Sequence, residues 1–209
     1  LCDRRQRQMC IRDRKYWSLK EYEPRTEQIR IIKEIITAMD LGFKNIILEA
    51  GTGIGKSAIA TTIANLCDNS YILTMTNQLQ KQYLDDFNYM LTEIKGRRNY
   101  TCNHGGTCEE CYMEQLKEKK CNDCEYILAL REALTSKNII TNYDYIWFAG
   151  NYTELFSKRD LLIMDEAHNL ESKIMGLISR TLNRKSIIKN YGFDIFDKIM
   201  NKKLNLKDL

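Results

Sequence analysis

The chain has 209 residues, 44% of them apolar, with 32 lysines and arginines against 28 aspartates and glutamates, a net charge of +4. That is the profile of a globular chain with room for one domain and an insertion, and it excludes a fibrous or low-complexity protein. No apolar run reaches the roughly 20 residues of a membrane span, and no secretory signal is visible behind the N-terminal arginines.

Residues 1–14 hold five arginines against two aspartates, so +3 of the net charge lies there. Arginine, glutamine and aspartate alternate without apolar periodicity, and the segment reads as a non-native remnant outside the fold. A basic arm that binds nucleic acid is the alternative. The first predicted helix begins after Pro24, with Thr26 as its N-cap, Ile29, Ile32, Ile36 and Met39 on one face, and Gly42 as its stop. An apolar run at 45–48 predicts a strand, and 58–67 predicts a helix.

Between them stands Ala50-Gly51-Thr52-Gly53-Ile54-Gly55-Lys56-Ser57: a small residue, four more, then Gly-Lys-Ser. Strand, glycine-rich turn and helix in this order form the P-loop pattern. Glycines let backbone N–H groups turn inward on phosphate oxygens with no Cβ in the way, and the helix N-terminus adds its positive end. Lys56 then serves the β and γ phosphates, and the Ser57 hydroxyl a magnesium ion.

Further on, 71–76 predicts a strand, 77–90 a helix, 126–134 a helix and 139–141 a short strand. Residues 161–165 form a continuous apolar run of the kind buried in a parallel sheet. Beyond Leu170 the pattern is helical and basic-rich. Strands alternating with helices give an α/β class with a parallel sheet. The strand at 161–165 ends in Asp165 and Glu166. With a P-loop upstream, Asp165 suits the magnesium ion and Glu166 the proton of an attacking water. His168 is either a further group of that site or a satisfied structural histidine.

Five of the eight cysteines, Cys102, Cys108, Cys111, Cys121 and Cys124, crowd into one polar segment. In a reducing compartment such crowding points to metal. Two C-x2-C pairs, with Cys102 and His104 to spare, have zinc-site spacing; iron–sulfur ligation and unligated thiols stay open. Arg97 and Arg98 beside Tyr100 offer either a DNA-backbone contact with a stacking ring or a solvated turn.

With these residues together, the chain resembles superfamily 2 helicases, whose Asp-Glu-Ala-His motif stands at 165–168. More narrowly it resembles the XPD/DinG-type iron–sulfur DNA helicases. Arg25-x-x-Gln28 resembles that family's adenine-reading motif, and residues 76–82 its contact with single-stranded DNA backbone. Residues 96–102 and Cys124-Glu125-Tyr126 resemble the two flanks of its cluster domain, followed by Thr141-Asn142-Tyr143.

The resemblance implies a RecA-like lobe at 15–100 and 126–170, a cluster insertion at 101–125 and the start of a helical arch at 171–209. It implies ATP hydrolysis with magnesium, with Lys56, Asp165 and Glu166 as catalytic residues. Residues 50–57, Arg25, Gln28, Asp165 and His168 would surround the nucleotide, with Ser57 and Asp165 on the metal. It also implies a 4Fe–4S cluster on Cys102, Cys108, Cys111 and Cys124, with Cys121 the alternate ligand and zinc the alternative metal. The partners would be single-stranded and forked duplex DNA, with 5′-to-3′ movement, in an intracellular monomer. In that family a second lobe supplies an arginine finger, so the chain reads as the front half of a helicase, expected to be nearly inert alone. The alternative is a zinc-bearing nucleic-acid-binding ATP switch that does not unwind.

Overall fold

The structure is a computed structural model that describes residues 16–19, 22–103, 105–115, 124–153 and 155–179. The isoleucine periodicity behind Pro24 builds α1 (Thr26–Asp40). The cap differs from expectation. Arg25, not Thr26, is the N-cap, and the Gln28 side chain accepts the Arg25 N–H at 2.8 Å. Gly42 does end the helix. At φ +85° it donates to Met39 O while Phe43 donates to Ala38 O, the paired bonds of a Schellman stop.

Helix α2 (Lys56–Leu66) packs on α1 through Ile31, Ile32, Ile59 and Ile63. The sheet comprises β1 (Ser70–Thr74), β2 (Thr92–Glu93), β3 (Asn138–Asn142) and β4 (Leu161–Met164) in the order β2-β3-β1-β4. Every pairing is parallel, with Ser70 opposite both Asn138 and Leu161. Helix α3 (Asn77–Phe87) links β1 to β2, α4 (Cys108–Gln115) and α5 (Glu125–Thr135) lie between β2 and β3, and α6 (Tyr143–Tyr152) leads to β4. Parallel neighbours need such crossovers, so the alternation read from the sequence is the α/β fold observed, consistent with a RecA-like core. One buried cluster joins Ala64 of α2, Ile72 of β1, Tyr83 and Phe87 of α3 and Ile140 of β3.

One expected strand is absent and another is less buried than expected, for one physical reason. Residues 45–48 form no strand: their backbone pairs with nothing in the sheet, and Ile47 is 95% exposed. A strand exists only through its neighbour's hydrogen bonds, which an apolar run cannot reveal. Likewise β4 is not buried on both faces. It pairs with β1 alone among the described residues, and Leu162 and Met164 are 51% and 42% exposed. The fully buried strands are β1 and β3.

Helices α4 and α6 escaped sequence reading. Helix α6 starts where the Asn142 side chain caps it by accepting from Tyr145 N at 2.8 Å. The chain divides into two compact units at Ala167/His168. In the second, α7 (Leu170–Ile178) bears out the helical pattern after Leu170; the remainder of the expected arch, residues 180–209, lies outside the described residues, as do residues 1–15, His104 and Cys121. No helix among the described residues is long and apolar enough to cross a membrane.

Candidate nucleotide site

The loop at 50–55 is held open by side chains from outside it. Gly53 and Gly55 sit at φ +81° and +84°, a region that favours glycine. Arg25 Nη1 donates to Gly53 O at 2.6 Å, and Gln28 Nε2 donates to Ile54 O at 2.8 Å. These two bonds turn the Gly53 and Ile54 carbonyls toward the residues that begin α1. A Cβ on Gly55 would also meet the end of the Gln28 side chain, which would have to shift to admit it. Lys56 Nζ closes the loop on Ala50 O at 3.2 Å. Lys56 and Ser57 are the first two residues of α2, at the positive end of that helix.

Asp165 stands just past β4. Its N–H continues the ladder to Leu73 O at 2.9 Å, which fixes its backbone against β1. Its carboxylate accepts from Glu166 N at 3.0 Å and from Tyr83 Oη at 3.2 Å, and its carbonyl accepts from Tyr143 Oη at 2.9 Å. Thus one side chain of α3, rooted in the buried cluster, reaches the aspartate of the acidic motif. Burial first, then the Asp165 charge, pushes the Tyr83 phenol far up. Tyr143 is pushed up to about 12 by burial and by the charges of Asp165 and Glu166. Neither tyrosine was singled out for the nucleotide site from the sequence, where an aromatic at helical spacing reads as core. Glu166 has φ +54°, the one non-glycine residue at positive φ among those described. In the second unit, the His168 ring bonds the Asn169 side chain at 2.8 Å.

A family profile described as the res subunit of type III restriction enzymes matches residues 21–198, most of the chain. The chain belongs to that family. It is a superfamily 2 helicase domain of the res-subunit type. It is also 24% identical over 209 aligned positions to a protein of Methanocaldococcus jannaschii named as a probable ATP-dependent helicase. That alignment covers 79% of this chain and 32% of the relative, so the chain spans about a third of the length of the curated relative it matches.

Two other stretches of this res-subunit domain converge at the ends of β1 and β3. Asn142 Nδ2 donates to Asn77 Oδ1 at 2.6 Å, and Asn77 Nδ2 donates to Asn99 Oδ1 at 3.0 Å. This joins the 76–82 stretch to Thr141-Asn142-Tyr143. Gln80 has a structural place: wholly buried, it donates to Ile94 O and Ile140 O at 3.2 Å each. Arg97 is occupied too, its guanidinium lying between the Tyr112 and Tyr126 rings at 4.3 and 4.1 Å. Arg97 is thus engaged in cation–π contacts, while Arg98 on the same turn is exposed.

Cys102, Cys108, Cys111 and Cys124 are all buried, and none of the four is in a disulfide. A tight turn through Gly105 and Gly106 brings Cys102 N to Gly106 O at 3.0 Å, and Cys108 N reaches Tyr100 O at 2.9 Å. The Cys108 thiol is pushed up by burial, with Cys124 and Cys102 as its neighbouring thiols. Among the described residues no three such side chains form a metal-holding group.

Proposed function

We propose that this domain is the ATP-binding motor lobe of a DNA helicase. The observation that carries the reading is the position of Asp165, just past β4, tied by its N–H to Leu73 O of β1 and by its carboxylate to Tyr83 Oη. It lies at the end of a parallel strand, where open α/β sheets take ligands, and the P-loop pattern leads into the head of α2. The reading gives Arg25 and Gln28 the adenine side of the nucleotide, residues 50–57 its phosphates, and Lys56 the β and γ phosphates. The hydroxyl of Ser57 and the carboxylate of Asp165 are hard oxygen donors, a donor set that suits magnesium. Bound there, the ion would neutralise charge on the phosphate oxygens. Glu166 takes the proton of the attacking water, and its carboxylate is set apart from the strand by its own backbone turn. His168 is a further candidate for the nucleotide's surroundings.

The finer reading follows the XPD/DinG-type resemblance: a RecA-like lobe at 15–100 and 126–170, a cluster insertion at 101–125 and an arch from 171. The donors for a 4Fe–4S cluster would be Cys102, Cys108, Cys111 and Cys124, or Cys121 in place of Cys108. Four buried sulfurs in a segment of few aliphatics support a metal; zinc is the second reading, favoured by the C-x2-C spacing. Residues 76–82 would grip single-stranded DNA, and the full protein would part forked duplexes, moving 5′-to-3′. The test is ATP hydrolysis by the full-length protein with and without single-stranded DNA. Hydrolysis stimulated by DNA and abolished by Lys56→Ala is expected; unchanged hydrolysis in that variant would overturn the site.

A further inference from the structure

Asn142 and Tyr143 are neighbours in sequence, both buried, and they hold different parts of the domain. Asn142 ends β3 and caps α6, its Oδ1 accepting from Tyr145 N at 2.8 Å. With the oxygen committed to the cap, the amide hydrogens face α3, and Nδ2 donates to Asn77 Oδ1 at 2.6 Å. Asn77 is the first residue of α3, between the exposed Thr76 and Gln78. Its own amide donates onward to Asn99 Oδ1 at 3.0 Å, and Asn99 Nδ2 to Gly96 O at 3.0 Å. Donors and acceptors thus run in one direction, from the cap of α6 to the head of α3 and the turn beside it. Tyr143 reaches the other way. Its Oη donates to Asp165 O at 2.9 Å, while Glu166 N donates to Asp165 Oδ1 at 3.0 Å. Both polar atoms of the one peptide between the two acidic residues are therefore held. A turn of that peptide plane changes φ of Glu166, which stands at +54° in the small left-handed region, and so moves its carboxylate.

We infer that Asn142 and Tyr143 are positioning residues of a relay, through which a DNA strand held at the head of α3 sets the Asp165–Glu166 peptide and thereby the rate of hydrolysis. This rests on the reading of residues 76–82 as the grip on single-stranded DNA and of Glu166 as acceptor of the attacking water's proton. Phosphates drawn to the positive end of α3 compete for the Asn77 amide and change its hold on Asn142. Asn142 and Tyr143 open the same helix, so a shift of its first turn carries the Tyr143 hydroxyl with it. Neither residue touches nucleotide or strand. Coupling between two such sites is typically worth about 5- to 150-fold.

The test uses the full-length protein and single-stranded oligodeoxythymidine. The readout is the stimulation ratio, ATP hydrolysis with the oligonucleotide over hydrolysis without it. Oligonucleotide affinity in the absence of nucleotide is followed separately by fluorescence anisotropy. Asn142→Ser keeps an oxygen that caps α6 and is too short to reach Asn77. Tyr143→Phe keeps the ring and removes the donor to Asp165 O. A fall of about fivefold or more in the ratio is expected in each variant. The double variant should fall no further than either single one, because both act in one path, and Tyr143→Phe should bind the oligonucleotide within about twofold of the parent. A ratio within about twofold of the parent's in Tyr143→Phe, or losses that multiply in the double variant, overturns the inference. General loosening of the fold would lower hydrolysis with and without the oligonucleotide alike and leave the ratio in place, which also overturns it. A parent whose hydrolysis is lost in Lys56→Ala but ignores the oligonucleotide would remove the underlying DNA reading together with the relay. A stimulated parent beside an equally stimulated Tyr143→Phe would remove the relay alone.

Discussion

Glu166 carries a carboxylate on a backbone of φ +54°, where glycine would be at ease. Left-handed backbone at a non-glycine residue is destabilising by roughly 1–3 kcal/mol and is held by the surrounding structure, commonly at functional sites. Glu166→Gly should therefore raise stability by about 1 kcal/mol in urea unfolding while losing ATP turnover. The opposite sign is expected at Gly55. Alanine there meets both φ +84° and the Gln28 amide, so Gly55→Ala should lower stability by about 1 kcal/mol or more and weaken nucleotide binding. Tyr143 gives a pH dependence. Its folded pKa of about 12 lies above the ordinary value near 10, so the folded state holds the proton more tightly. That contribution is complete below pH ~10 and is lost as pH rises from there toward 12. The urea midpoint should fall over that range, less steeply in Tyr143→Phe. At this scale Lys56, Ser57, Asp165 and Glu166 stand out in the sequence as candidates because phosphate, metal and proton chemistry calls for such types and spacing. Tyr83 and Tyr143 do not, because only packing turns these aromatic hydroxyls toward Asp165.

Among the elements, α1, α2, β1 and β3 could be read from periodicity and stops. β1 and β3 have a partner on each side and are buried throughout, while α1 writes its one buried face as isoleucines at helical spacing. The segment at 45–48 and the edge strand β4 could not be read in the same way. Whether an apolar run pairs, and on how many sides, depends on neighbours distant in sequence. Gln80 shows another limit. Its position in the 76–82 stretch invites a ligand role, but its amide ties α3 to the carbonyls of Ile94 and Ile140. Gln80→Ala should be destabilising by about 1–3 kcal/mol in urea unfolding, since it strips buried carbonyls of a donor and opens space. Asn77 and Asn142 are held at the strand ends by each other, and Asn77 also by Asn99. Their side chains thus link three sequence stretches that reading along the chain treats separately.

For the whole molecule, membership of the res-subunit family gives the helicase domain, and the buried thiols bear on what the cysteine-rich stretch could hold. Anaerobically purified protein is expected to carry about four irons per chain, with Cys102→Ser, Cys111→Ser and Cys124→Ser each losing them while the nucleotide lobe stays folded. Colourless protein with one zinc would move the assignment to zinc. The central claim is narrower than any of this: Lys56, Ser57, Asp165 and Glu166 are one site that binds magnesium–ATP and hydrolyses it. It is tested most directly by titrating magnesium–ATP into the Glu166→Gln and Lys56→Ala proteins beside the parent and following turnover in the same samples. Binding close to the parent's with turnover lost in Glu166→Gln, and binding itself lost in Lys56→Ala, is the predicted result. Turnover near the parent's in Glu166→Gln, or unchanged binding in Lys56→Ala, would contradict it.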